Sequence, residues 1–219
     1  MAISGLAVTF PLMNLSTAFG TLVGVGASTL ISVLLGQRNY SVARRVLGNV
    51  IIMNCVIGLL FMALSLLFLD PILYFFGASE ATIPYAREYM QVVLIGNIIT
   101  HLYFGLNAVL RASGHPRKAM YATILTVALN TILDPIFIFV LDMGIRGAAI
   151  ATVISQLVSL IWQIKIFSNK DEFLHFSKDM MKFDSKIAYR SLSIGMAPFL
   201  MNVASCFIVI LINKGLQTY

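Results

Sequence analysis

The sequence predicts an all-α polytopic membrane protein with six transmembrane helices. Of its 219 residues, 59% are hydrophobic and only 11% are charged, and the mean hydropathy of +0.90 is well above that of a soluble domain. A helix needs about 20 apolar residues to cross the core of a bilayer. Six apolar runs reach that length, at about 3–35, 46–69, 85–110, 119–141, 148–167 and 192–212.

The charges between these runs predict the orientation of the chain. Lys and Arg number 15 and Asp and Glu 9, for a net charge of +6. Most basic residues lie in the connections after the first, third and fifth runs, whereas the opposite connections hold only Arg87 and Arg146. Basic residues are retained on the cytoplasmic side of a membrane, so these three connections are expected there. The charge then indicates a lipid bilayer as partner and no nucleic acid. We expect a multi-pass protein of the cell membrane, which in a bacterium is the inner membrane.

No catalytic or cofactor motif is present. The sequence lacks His-Glu-x-x-His, Gly-x-Ser-x-Gly, the phosphate-binding Gly-x-x-x-x-Gly-Lys and Cys-x-x-Cys. Cys55 and Cys206 both fall in apolar runs, where a thiol usually behaves as a small buried apolar group. The composition therefore favours neither a disulfide framework nor an enzyme, and no cofactor is expected.

The fourth run carries a carboxylate among apolar residues. Asp134 is the only charge between positions 119 and 141, and an ionisable group in a span usually faces a bundle interior or a watery cavity. Asn130 lies four residues earlier, so its amide shares a helix face with the carboxylate. Pro135 removes one backbone donor and is expected to bend the helix, which frees the carbonyl of Thr131. The stretch predicts an oxygen-rich patch at a kink.

A short turn over residues 142–147 joins the fourth and fifth runs, which predicts an antiparallel helical hairpin. Positions equidistant from the turn share a depth, which pairs Asp134 with Ala148 and Asn130 with Thr152. A carboxylate, an amide, a hydroxyl and backbone carbonyls would then converge, and such hard oxygens suit Na+ or a proton held by the acid. The alternative is a structural role, in which Asp134 only pairs with an amide or hydroxyl across the helices.

The chain also contains five short stretches in a characteristic order: Phe10-Pro11-Leu12, Gly24-Val25-Gly26-Ala27-Ser28, Leu110-Arg111-Ala112-Ser113-Gly114-His115-Pro116-Arg117, Asn130-Thr131-Ile132-Leu133-Asp134-Pro135 and Gly144-Ile145-Arg146-Gly147-Ala148-Ala149-Ile150-Ala151-Thr152. Each is weakly specific alone. In this order and spacing they resemble the multidrug and toxic compound extrusion (MATE) family of secondary transporters, and the resemblance covers essentially the whole chain.

The resemblance implies that the six helices form most of one lobe of a MATE-type twelve-helix transporter. Two six-helix lobes would rock to expose a central cavity and export organic cations or other amphipathic compounds against an inward Na+ or H+ gradient. For this chain the resemblance implies a cation-binding site made of Asn130, Asp134, Thr152 and the backbone of Ala148, beside the hinge or kink expected at Pro135. Beyond Na+ or H+ as the coupling ion, no metal or cofactor is implied.

The family's helix order implies three parts. Residues 1–168 correspond to helices 2–6 of the N-lobe, residues 169–190 to the cytoplasmic linker between the lobes, and residues 191–219 to the first helix of the C-lobe. The acidic residue on the family's first helix has no counterpart here, so we expect a fragment that acts with the remaining helices of a full-length transporter. The linker is either an amphipathic helix on the membrane surface or an ordinary connection.

Two other functions stay open at this point. A lipid-linked oligosaccharide flippase of the same superfamily would need several basic residues inside the spans to neutralise a pyrophosphate, and the apolar runs hold essentially none. The other is a non-transporting membrane fragment. The sequence favours a cation-coupled antiporter that exports drugs or other amphipathic organic compounds by alternating access.

Overall fold

The computed structural model describes residues 2–170, 172–177, 180 and 182–217, and most of these are helical. The elements in chain order are α1 (Ala2–Gly36), α2 (Tyr40–Leu67), α3 (Leu69–Phe75), α4 (Ile83–Ile95), α5 (Asn97–Ala112), α6 (Pro116–Pro135), a π-helical turn (Ile136–Val140), α7 (Gly144–Phe167) and α8 (Ser185–Gln217). Within these described ranges, five helices are long and apolar enough to cross a membrane: α1, α2, α6 with its π-helical continuation, α7 and α8. Helices α4 and α5 add a sixth span when taken together, bent by 55°. The predicted fold class is confirmed.

The third apolar run is bent at Gly96, which the sequence did not predict. A Cβ at Gly96 would overlap the side chain of Val153 on α7, so glycine lets α7 approach the bend. The backbone remains hydrogen-bonded there, because the Gly96 N–H donates to Val92 and its carbonyl accepts from Thr100, both at 3.1 Å. Helix packing therefore accompanies the bend without exposing the polar groups of Gly96 to lipid.

Helix α1 lies at the centre of the bundle and contacts α2, α4, α5 and α8. One side of α1 faces α5, where a Cβ at Gly24 would lie 3.4 Å from the Cβ of Ala108 and the Cα of Gly105. Small residues on both helices thus bring the two backbones close together.

The crossing of α1 and α8 is closer still. A Cβ at Gly26 would overlap the carbonyl oxygen of Ser191, and a Cβ at Gly195 would overlap that of Leu22. The two helices therefore pack backbone against backbone, with one glycine contributed by each.

The long connection between α7 and α8 packs against one end of the bundle. The ring of Phe173 stacks on Tyr40 with centroids 5.1 Å apart, and the Asp184 N–H donates to the Asn49 amide oxygen at 3.1 Å. Among its described residues the connection has no α-helix before Ser185, so the structure supports an ordinary connection over an amphipathic surface helix. The long connection thus lies at the same end of the molecule as the other two basic connections. The division into N-lobe, linker and C-lobe helix stays a prediction, and α8 begins within the range assigned to the linker.

Candidate functional site

Helices α6 and α7 form the predicted antiparallel hairpin, and polar side chains join them along its length. Toward the end carrying the basic connections, the Thr126 hydroxyl donates to Ser159 Oγ at 2.6 Å, and Ser159 in turn donates to the Ala122 carbonyl at 3.1 Å. Near the opposite turn, a Cβ at Gly147 would lie 2.7 Å from the carbonyl of Phe137. The turn is shorter than predicted, because α7 begins at Gly144. These contacts hold the two helices in a single register.

That register brings the predicted site residues together. The Asn130 side-chain nitrogen donates to Asp134 Oδ1 at 3.0 Å and to Thr152 Oγ1 at 3.3 Å. The Thr152 hydroxyl donates to the Ala148 carbonyl at 3.0 Å. The predicted depth pairing of Asn130 with Thr152 is therefore realised as a direct hydrogen bond between α6 and α7.

The backbone after the carboxylate departs from a regular α-helix. Because Pro135 has no N–H, the carbonyl of Thr131 lacks its usual helical donor. The Ile136 N–H bonds to Leu133, and the Leu141 N–H reaches back five residues to Ile136 at 2.9 Å. A π-helical turn thus follows Pro135, and such turns are frequent at functional sites.

Two side-chain oxygens of Asn130 and Asp134 have no hydrogen-bond donor among the described residues. Within the described part of the chain, no donor reaches the Asp134 Oδ2 or the Asn130 Oδ1, whereas the two donors of the Asn130 amide have two acceptors. Both side chains are half-buried. The arrangement presents free hard oxygens, one with a full charge, which is the donor set of a small cation site. No cluster of three His, Cys, Asp or Glu residues occurs among the described positions, so a soft-metal site finds no support there.

A cavity of about 120 Å3 with a mostly apolar lining adjoins Thr152 and extends between α1, the bent span and α7. Ser16, Asn97, Thr100 and Gln156 contribute to its polar lining. The Ser16 hydroxyl donates to Asn97 Oδ1 at 2.5 Å and lies 3.2 Å from the Nε2 of His101, which is fully buried. Sequence reasoning missed this group, because Ser16 lies more than 80 residues from Asn97 and His101, and only the packing of α1 against α5 brings them together.

A second omission is Tyr89, a buried residue of α4 whose phenol interacts electrostatically with the Asp134 carboxylate. The sequence offered one sign of this contact: a tyrosine in an apolar run is expected to be buried, and the hydroxyl of a buried tyrosine usually has a polar partner.

Comparison with known proteins identifies the family. The family model described as MatE matches residues 1–136. The multidrug export protein MepA of Staphylococcus haemolyticus is 34% identical over 217 residues, covering 99% of this chain and 48% of that relative. MepA of Staphylococcus aureus is 31% identical with the same coverage. The chain thus spans about half the length of the curated relatives it matches.

Solved structures agree with the fold. The inward-facing conformation of a multidrug resistance MATE family transporter of the MOP superfamily has a TM-score of 0.91 and 26% identity, covering 95% of this chain and 48% of that one. The outward-facing conformation of such a transporter has a TM-score of 0.86 and 28% identity, covering 91% and 45%. With the apolar spans, these findings make the protein a multi-pass protein of the cell membrane. The predicted resemblance is confirmed, and the chain belongs to the MatE family.

Proposed function

We propose that this chain supplies most of the N-lobe of a cation-coupled antiporter that exports drugs or other amphipathic organic compounds by alternating access. The observation that carries the proposal is the contact of Asn130, Asp134 and Thr152 across the α6–α7 hairpin. A hydrogen-bonded carboxylate in a span is costly to maintain and is retained where an ion must bind. The MepA relatives are named multidrug export proteins, which supports transport over catalysis.

In this proposal Asp134 holds the coupling ion, and a proton and Na+ compete for its carboxylate. Asn130 turns its amide so that the carbonyl oxygen faces Na+, while its present geometry, with the nitrogen donating to Oδ1, suits the cation-free carboxylate. Thr152 and the Ala148 carbonyl complete the ligand set from α7. Pro135 and the π-helical turn after it supply a place where the helix backbone can adjust.

The remaining helices of a full-length transporter are proposed as the partner of this chain. One carboxylate offsets little of the cost of removing Na+ from water. Helix α6 also buries only Ala119 and Ala122 of its own residues, so most of its surface remains available for another helix or for lipid. A second acid on a further helix would complete the site.

The flippase alternative is not favoured. The spans α1 and α6 have no charged residue in their central parts except Asp134, which is negative and would repel a pyrophosphate. No observation in the described residues favours a non-transporting fragment over a transporter.

The test replaces Asp134 in the full-length transporter. Asp134→Asn keeps the shape and one acceptor but removes the charge, so we expect normal membrane insertion and loss of gradient-driven efflux of a cationic dye. The matched control is Asp142→Asn, which changes an exposed carboxylate in the neighbouring turn. Wild-type efflux by the Asp134→Asn protein would leave only the structural role for this carboxylate.

A further inference from the structure

An open groove of about 380 Å3 lies where the long connection meets α6 and α7. Helix α7 contributes Trp162 and Lys165, whose spacing of three residues places them on one helix face, and Asn169 follows just after the helix ends at Phe167. Lys118 from the first turn of α6 and Glu172 from the connection complete the polar lining. We call this the α6–α7 basic groove. It lies at the end of the hairpin remote from the candidate cation site.

The groove has an excess of unused positive charge. Glu172 forms an ion pair with Lys118 at 2.5 Å, and its other carboxylate oxygen lies 3.0 Å from the Nε2 of His115. The Lys165 ammonium and the Trp162 indole N–H have no hydrogen-bond or ion-pair partner among the residues that the structure describes. Among the described residues of the lining, two lysines against one carboxylate leave one positive charge in excess, so the groove complements a ligand with a single negative charge.

The surface beside the groove is apolar. One turn deeper into the membrane from Lys118, Trp162 and Lys165 lie Tyr121, Val158 and Ile161, which are 55%, 39% and 58% exposed. A ligand with its charge in the groove would therefore have hydrocarbon-like surface directly beneath it. Tryptophan with lysines at the ends of two spans is also the usual composition of a membrane–water interface.

We propose that the α6–α7 basic groove binds the headgroup of a singly charged anionic phospholipid such as phosphatidylglycerol. Lys165 and Lys118 contact the phosphodiester, the Trp162 N–H donates to it, and the acyl chains lie along the outer faces of α6 and α7. This inference does not depend on the proposed antiport. It assigns a lipid site to a part of the hairpin that the coupling ion does not use.

The chain is suited to a direct test, because Trp162 is its only tryptophan. The purified chain is reconstituted into bilayers of phosphatidylcholine containing increasing fractions of phosphatidylglycerol with brominated acyl chains, which quench nearby tryptophan. Replacing one lysine near a membrane surface lowers the binding of an anionic lipid by about fivefold. The measured quantity is the preference for brominated phosphatidylglycerol over brominated phosphatidylcholine in quenching Trp162. We expect Lys165→Gln, which leaves the Lys118–Glu172 pair intact, to lower this preference about fivefold. The double variant Lys118→Gln/Lys165→Gln should lower it further.

Two matched controls, Lys186→Gln alone and Lys182→Gln/Lys186→Gln, remove the same charges from the same end of the molecule but outside the groove. Trp162 in both controls should be quenched as in the wild type. Equal preference for the two lipids in the wild-type protein, or an equal loss in the control variants, would overturn the proposal. Soluble glycerol phosphate should not reverse the quenching at concentrations comparable to the lipid. If it did, the groove would be a site for free anions and the lipid assignment would be wrong.

Discussion

Asn130 and Thr152 lie on two antiparallel helices, and a hydrogen bond of 3.3 Å joins the amide nitrogen of one to the hydroxyl of the other. Since Thr152 also donates to the Ala148 carbonyl at 3.0 Å, its hydroxyl connects the amide on α6 to the backbone of α7. The bond therefore fixes the position of a neutral oxygen relative to the Asp134 carboxylate.

This geometry predicts unequal effects of two conservative replacements in the full-length transporter. Thr152→Val keeps the branched shape and deletes the hydroxyl. Loss of one neutral hydrogen bond costs about 1 kcal/mol. We therefore expect the Na+ or H+ concentration needed for half-maximal efflux to rise about fivefold. Thr152→Ser keeps the hydroxyl and should remain close to wild type. The measurement is dye efflux as a function of the coupling-ion concentration. Indistinguishable Val and Ser variants would show that the hydroxyl is not a ligand.

The α1–α8 crossing predicts that Gly26 cannot accept even a methyl group. Gly26→Ala forces the backbones of the two helices apart and should destabilise the protein by about 1–3 kcal/mol, as overpacking in a core does. Gly36→Ala is the control, because a Cβ there meets no atom within 4 Å. Thermal unfolding of both variants in detergent should show a lower Tm for Gly26→Ala alone, whereas matching Tm values would mean that the crossing is looser than the structure shows.

The ion pairs of the long connection predict a dependence of stability on pH. The hydrogen bond from Lys118, helped by the nearby charge of His115, lowers the pKa of Glu172 from its usual 4.5. The stabilising contribution is therefore fully present above about pH 4.5 and is lost as the pH falls through the lowered value. We expect the Tm of Glu172→Gln to fall less than that of the wild type when the pH is lowered through this range. The control Glu80→Gln, at an exposed carboxylate, should show the same fall in Tm as the wild type. A Glu172→Gln protein with the wild-type acid profile would contradict the assignment.

The arrangement of the basic connections predicts the orientation in the membrane. After replacement of Cys55 and Cys206, single cysteines at the exposed positions Gln37 and Arg117 should be protected from a membrane-impermeant maleimide in intact cells. Cysteines at Ser79 and Met143, at the opposite end, should react. The reverse pattern would invert the orientation.

The α6–α7 hairpin could be predicted from the sequence because its information is local. A carboxylate, an amide four residues earlier and a short turn determine a helix face and a depth, and the structure joins Asn130 to Thr152 as that depth requires. The π-helical turn after Pro135 was not predicted, because the loss of one donor does not determine which bonds the following N–H groups will make.

The bend at Gly96 and the group of Ser16, Asn97 and His101 depend on contacts between distant helices. Residues 85–110 are mostly apolar on both sides of Gly96, so the composition of that run does not distinguish a straight span from a bent one. The close contact of Gly96 with Val153 is visible only after packing. A single buried histidine likewise gave no indication of its partners in the sequence.

The bend at Gly96 also bears on the thickness of membrane that the bundle fits. Placed end to end, the 13 residues of α4 and the 16 residues of α5 would form a helix of about 44 Å, much longer than the roughly 30 Å of a bilayer's hydrocarbon core. With the 55° bend, α4 adds only about 11 Å along the direction of α5, which reduces the combined height to about 35 Å. The bent span thus relieves most of its hydrophobic mismatch within the protein, so neither strong tilting of α5 nor local thickening of the lipid is needed.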